Sequence, residues 1–431
     1  MRVLAATGAT LVLVAALCGC APGEPTPQST AAVAAECASA ATGVVAAAER
    51  LVAEYDRTVD EAQQAASSPS PTADPTQPPA QNAGDDPLAD AVAAAREINE
   101  RLGCEQEGFQ ARLEAGLGAI DTRGPIAAAV LARVSASLLG DLRQDAADWE
   151  LSSGAELPEA LSRAAEGTTI VLPAGIVELE QTLVLLAGVT LRGAGIDATT
   201  IRSSAPDAGI IVAASSAVRM EDLTIAHAGD RPASVVVAGP SATLALSRTR
   251  LSGAVAAADG VGGAGLYVAA QGSEGDGRGT TLEITDARFE GNAWAGAAVA
   301  GGHRVSVVST TFAGNGGVGM LFLDVTSGSV SDSTFTDNGI GVAASGASTP
   351  SVLRGTIAGG QVGIQVDAAA APVIDAIRIS GAASAAILFG GESTGSVTGS
   401  TCEGTPYDIV VSNSAAPTLG ENACTVTRGA G

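Results

Sequence analysis

The chain contains no lysine: all 22 of its basic residues are arginine, set against 46 acidic ones. Its formal net charge is −24 at pH 7, so its field repels nucleic acid and acidic polysaccharide alike unless a metal bridges them. Aromatic residues make up only 3% of the sequence, which leaves few flat platforms for a sugar ring. Histidine occurs twice, as His227 and His303, and neither sits at a metal-ligand spacing. The apolar run over residues 3–16 is shorter than the roughly 20 residues a bilayer crossing requires.

That run follows a single positive charge at Arg2 and ends in Leu17-Cys18-Gly19-Cys20, the layout of a signal peptide over residues 1–19. The tetrad resembles the bacterial lipobox. The resemblance implies a diacylglycerol on Cys20 and a chain exported and held on the outer face of the cell membrane. Acyl chains contribute about 0.8 kcal/mol per buried methylene to such an anchor. Beyond the signal, Cys37, Cys104, Cys402 and Cys424 form an even set, and disulfides are expected in an exported chain.

Residues 20–30, rich in Pro, Thr and Ser, read as a tether. Val44, Leu51, Val52, Tyr55 and Val59 recur at helical spacing over 31–66, as do Val92, Ile98, Leu102, Phe109 and Leu113 over 88–117. The proline-rich stretch 67–87 between them reads as a loop, and pairing Cys37 with Cys104 makes an antiparallel α-helical hairpin. A third helix is expected from Pro125 to about Ala147, completing a helical stalk over 31–147.

The rest of the chain carries a period. Phe289, Phe312, Phe335, Ile357, Ile379, Cys402 and Cys424 follow one another at 23, 23, 22, 22, 23 and 22 residues. Five residues before each stands another apolar residue: Ile284, Val307, Val330, Val352, Ile374, Val397 and Leu419. A third column runs through Met320, Val342, Ile364, Ile387 and Ile409. Short β-branched runs separated by Gly, Asn, Asp and Ser at this period fit one turn of a parallel solenoid, each coil rising about 4.8 Å.

The entry segment 157–167 has Leu157, Leu161 and Ala164 on one helical face and stops at Gly167, after which 168–175 reads as strand and turn. With the period, this resembles the pectin-lyase-like right-handed β-helix family. The resemblance implies an all-β right-handed parallel β-helix over 148–424 with an N-terminal capping helix and a tail at 425–431. It concerns the fold, which hosts many functions.

The register assigns most polar residues to structure. Asn292, Asn315 and Asn338 share one coil position and should form an amide ladder. Cys402 and Cys424, consecutive in the inward column, should lie about 5 Å apart as a buried disulfide. Gly391-Glu392-Ser393-Thr394-Gly395 lacks the strand-to-helix setting of a nucleophile elbow, and 260–265 lacks the βαβ unit of a dinucleotide fingerprint. The Gly- and Asp-containing segment 272–279 is an insertion between coils, with Glu274 and Asp276 too few to argue for calcium.

One outward column reads Thr224, Arg250, Arg288, Thr311, Thr334, Thr356, Arg378, Thr401, and another Asp222, Arg248, Asp286, Ser309, Asp332, Arg354. Arg250 and Arg288 beside Asp286 are candidates for an anion-binding or base-bearing patch, although Thr ladders and alternating Asp and Arg that solvate an exposed sheet by cross-coil pairing account better for such a pattern. The expectation is a non-catalytic, membrane-anchored β-helix that presents a ladder face to a cell-envelope glycan or protein. The alternative is a polysaccharide lyase or glycoside hydrolase using Arg250, Arg288 and Asp286, with calcium entering under the lyase reading alone.

Overall fold

The computed structural model describes residues 30–67, 87–102, 104, 106–122, 124–139, 147–213, 216–239, 242–258, 262–268 and 281–429. These divide into two compact units: a helical one that ends before residue 147 and also takes in Glu159–Ala165, and a β unit formed by Ala147–Pro158 and the chain from Glu166 onward. Cys20 and the insertion 272–279 lie outside the described residues.

In the helical unit α1 (Thr30–Ser67) packs against α2 (Pro87–Leu102), α3 (Gln106–Leu117) and α4 (Pro125–Leu138). Its buried face is Ala40, Ala41, Val44, Ala47, Ala48 and Val52, small residues at helical spacing that let other helices come close. Gly116 of α3 marks one such approach, since a Cβ there would stand 2.6 Å from Val45. Residues Ala32–Glu54 are long and apolar enough to cross a membrane by length and composition. The Cys37–Cys104 disulfide is formed, with Cα atoms 5.8 Å apart and an Arg101–Glu36 ion pair beside it. The single helix expected over 88–117 is two, because the chain breaks around Cys104 after Gly103, a poor helix former. The helix from Pro125 ends at Leu138 rather than near Ala147, just ahead of Gly140, where glycine again disfavours continuation.

A short helix, α5 (Leu157–Arg163), precedes the first coils in sequence, most of it belonging to the helical unit, and Leu157, Leu161 and Ala164 are buried as the sequence pattern requires. Coils then stack in parallel. One strand of each coil enters an 11-stranded sheet, and the others form a 20-stranded ladder sheet. The expected columns are in direct register: Phe289 opposite Phe312, Phe312 opposite Phe335, and Met320 opposite Val342. The three phenylalanine rings stack with centroids 4.9 and 4.8 Å apart, which is the rise of the coil. Each buried ring contributes about 1.5–3 kcal/mol.

Corners between strands are left-handed. Asp222, Arg248, Asp286, Ser309, Asp332 and Arg354 all have φ between 49° and 57°. The column read from the sequence as an outward strand position is therefore a corner, where the backbone turns between the two ladders. A second left-handed corner follows the buried apolar column at Gly253, Gly291, Gly314, Asp337, Gly359, Gly381 and Gly404.

Inside that second corner the asparagine ladder is continuous. Asn292 Nδ2 donates to Asn315 Oδ1 at 2.9 Å, and Asn315 Nδ2 to Asn338 Oδ1 at 2.8 Å. The same oxygens accept the main-chain N–H groups of Asn292 and Asn315 at 3.2 and 3.1 Å. At the C-terminal end Cys402 and Cys424 form a disulfide with Cα atoms 5.1 Å apart. The bond is half-buried rather than buried, because the last coil has no further coil to cover it.

Candidate functional site

Two places on the β unit gather side chains with chemistry to offer. The first is the charged part of the ladder sheet. Arg250 and Arg288 stand directly opposite each other in adjacent coils, and Asp286 occupies the corner two residues before Arg288. Arg250 is held by carboxylates on both sides, Asp197 at 3.1 Å and Glu290 at 3.2 Å. Among the described residues no ion pair involves Arg288. Arg248 forms a bidentate pair with Asp222 at 2.6 and 2.8 Å, and Arg354 repeats it with Asp332 at 3.0 and 2.8 Å. The Arg248 hydrogen bond holds the Asp222 carboxyl below the usual range, and Arg354 does the same for Asp332. Arg192 links this row to Glu221 at 2.6 Å and to Asp148 at 3.9 Å. Apart from Arg288, these cations are thus spent on cross-coil pairing that fastens one corner to the next.

The second place is the outer face of the 11-stranded sheet. Its outward column runs Val237, Tyr267, Ala298, Leu321, Ala343, Gln365, Leu388 and Val410, with no charged side chain. Ala264, Ala295, Ala298, Val318 and Ala343 form a buried floor, and Tyr267, Trp294, Leu321 and Ile340 pack half-buried against it. The Tyr267 and Trp294 rings lie 6.5 Å apart, tilted by 42°.

Glycines shape this face from both sides. Gly265, Gly296, Gly319, Gly341 and Gly363 recur immediately before the inward column, where a Cβ would stand 2.5–2.7 Å from the next coil's main-chain oxygen. Trp294 is flanked by Gly263 and Gly317, so the positions next to it in the neighbouring coils carry no side chain of their own. Burial, and after it the charge of Asp324, pushes the Tyr267 hydroxyl above its usual pKa. Asp324 itself is exposed at the left-handed corner that closes this sheet, with φ 56°.

Tyr267 and Trp294 are visible in the sequence but not assignable to a side. Strand alternation fails at Gly265, where the glycine and the following Leu266 both point inward, so parity does not show which face a neighbour takes.

The remaining motifs resolve as structure. Ser393 is fully buried in a coil with its hydroxyl unpaired, which rules out an exposed nucleophile elbow. Residues 262–265 lead into the strand Ala264–Val268, not a helix. His227 is buried with Nε2 3.2 Å from the carbonyl of Arg231, and His303 is buried after the Gly301-Gly302 turn. Among the described residues no three His, Cys, Asp or Glu side chains converge in a way that holds a metal ion.

A family model described as "Right handed beta helix region" matches residues 264–424. No curated protein matches the chain. Among solved structures, the ORF18 protein of Geobacillus virus E2 is 12% identical with a TM-score of 0.41, the match covering 61% of this chain and 54% of the viral one. This chain thus spans about half the length of that protein. The A-module of the Azotobacter vinelandii mannuronan C-5 epimerase is 16% identical, with a TM-score of 0.34 and coverage of 65% and 98%. The catalytic unit of a Streptomyces thermodiastaticus GH87 α-1,3-glucanase is 14% identical, with a TM-score of 0.31 and coverage of 66% and 70%. At these scores the likenesses carry nothing about activity. Residues 264–424 thus match a right-handed β-helix model, and in the structure the coils before them continue the same ladders.

Proposed function

We propose that the chain is an exported, non-catalytic β-helix that binds a cell-envelope glycan on the outer face of its 11-stranded sheet. The observation that carries this reading is the Tyr267–Trp294 pair, two tilted rings on a floor of buried alanines with glycines on either side of the indole. An apolar face with a few polar groups at its rim is the ordinary character of a ligand site, and the C–H face of a sugar ring fits an aromatic one. Two disulfides favour an oxidising compartment. A lipid on Cys20 would hold the protein at the membrane surface; mass spectrometry of the membrane-extracted chain, with Cys20→Ser as control, tests that part.

A second reading rests on Arg288, a cation set directly against Arg250 and without an ion pair among the described residues. It would serve a polysaccharide lyase or hydrolase, with calcium as a possible helper in the lyase case. One experiment separates the two. The purified chain is incubated with uronate and neutral polysaccharides, with and without calcium, and both retention and cleavage are scored. Retention without cleavage, lost in Tyr267→Ala and Trp294→Ala, is the expected result. Turnover abolished by Arg288→Ala would overturn it, and retention of a protein alone would replace the glycan.

A further inference from the structure

The Tyr267–Trp294 pair stands at one end of a longer strip. Trp294 immediately precedes Ala295, and the register carries Ala295 through Val318, Ile340, Val362 and Ala385 to Tyr407, five coils further on. At the rise of a parallel stack that is about 24 Å. Tyr407 is 54% exposed, the one aromatic among the exposed large apolar side chains of the described residues. No charged residue occurs in this row, nor in the parallel row from Ala298 to Val410. The floor between the two ends is low: Val318, Val362 and Ala385 are buried, while Leu321, Gln365 and Leu388 are half-buried.

Two aromatic contacts joined by a low, uncharged floor fit an occupant that is itself long and repeating. A short sugar reaches only the Tyr267–Trp294 pair. A chain laid along the stacking direction meets Tyr407 as well, and that second contact forms at the high effective concentration set by the first. The side-chain amide of Gln365, two coils short of Tyr407, offers hydrogen-bond donors and an acceptor along the path.

We infer that Tyr407 is a second aromatic subsite, in line with Tyr267 and Trp294, and that the face takes an unbranched polysaccharide extended along the stack of coils. This rests on the reading that the face binds glycan at all; it adds a second site, the direction of the chain and its minimum length.

Calorimetric titration of the full chain tests it, with trimers and hexamers of β-1,4-linked N-acetylglucosamine and of β-1,4-linked xylose, neutral probes for an uncharged floor. A hexamer is expected to bind about tenfold tighter than its trimer, the size of one aromatic contact. Tyr407→Ala should bring the hexamer back to within a few-fold of the trimer. Trimer affinity should not change in that variant, which shows that the exposed substitution leaves the first site folded. Tyr407→Phe should keep the gain, and Tyr267→Ala should weaken trimer and hexamer alike. Equal affinity for trimer and hexamer in the unaltered chain, or a gain that Tyr407→Ala leaves undiminished, overturns the inference with glycan binding intact. Binding of no oligomer removes both readings. Self-association measured by sedimentation and abolished by Tyr407→Ala also overturns it, since that end of the strip would then belong to a second copy of the chain.

Discussion

Alanine substitutions along the asparagine ladder should not cost the same, and the difference follows from which way each amide points. All three asparagines are buried, so the volume removed and the cavity left are alike and cancel in a comparison. Hydrogen bonding separates them. Asn315 Oδ1 accepts both the Nδ2 and the main-chain N–H of Asn292, so Asn315→Ala orphans two buried donors. Asn338→Ala likewise orphans the two donors of Asn315. Among the described residues Asn292 Oδ1 accepts only the main-chain N–H of Ala254, at 3.2 Å. An unsatisfied buried donor costs about 1–3 kcal/mol, which gives about 3 kcal/mol for Asn315 or Asn338 and about half that for Asn292, above a shared truncation cost. Urea titration of the full chain with disulfides intact, followed by far-UV circular dichroism, measures the three midpoints, with the exposed Ser380→Ala as a control expected within about 0.5 kcal/mol. Asn315→Asp adds a signature: its second oxygen would face Asn338 Oδ1 and the Phe289 carbonyl, both acceptors. Burial raises such a carboxyl's folded pKa, so stability should fall as pH rises above about 4 and recover below it. An Asn292→Ala variant as unstable as Asn315→Ala would refute the directional ladder.

Ser348 and Ser393 are buried with unpaired hydroxyls, so Ser348→Ala and Ser393→Ala should be neutral or stabilising by up to about 1–2 kcal/mol in the same titration. Replacing Cys402 and Cys424 together by serine opens a 22-residue loop, worth about 3 kcal/mol in chain entropy. Hydrogen exchange should then quicken over residues 401–428 and leave the phenylalanine coils unchanged. Asp222 has its pKa depressed by Arg248, so the stability from that pair is fully present above the ordinary carboxylate value and lost as pH falls through the depressed one. A double-mutant cycle on this partly exposed pair should give no more than about 1 kcal/mol at neutral pH, diminishing below about pH 4.

The coil was legible because burial repeats in it: Phe289, Phe312 and Phe335 sit on one interior line at the spacing of one coil. The disulfide between Cys402 and Cys424 followed from the same line. The corners were less legible. Asp222 and Asp332 suit a left-handed residue, but Arg248 and Arg354 do not, and Ala376 adopts it at the same corner with no side chain to pair, so the turn of the coil imposes it on whatever residue stands there. That is a tertiary cause with no local trace. The helix break near Cys104 was missed because the apolar spacing continues across it. At the candidate site the two rings were countable, but their side of the sheet depends on a glycine bend that parity does not register.

The repetition of corners makes coil number a free variable. Excising residues 315–337 would remove 23 residues and join Gly314 to Asn338, one left-handed corner substituting for another. Asn292 would then meet Asn338 and Phe312 would meet Ile357, with every hydrogen-bonding row shortened by one rung. The length of the outer face can therefore grow or shrink in steps of about 4.8 Å without redesign of the interior. A lineage carrying this fold can match the span of a polymeric ligand by duplicating or deleting a single stretch of sequence.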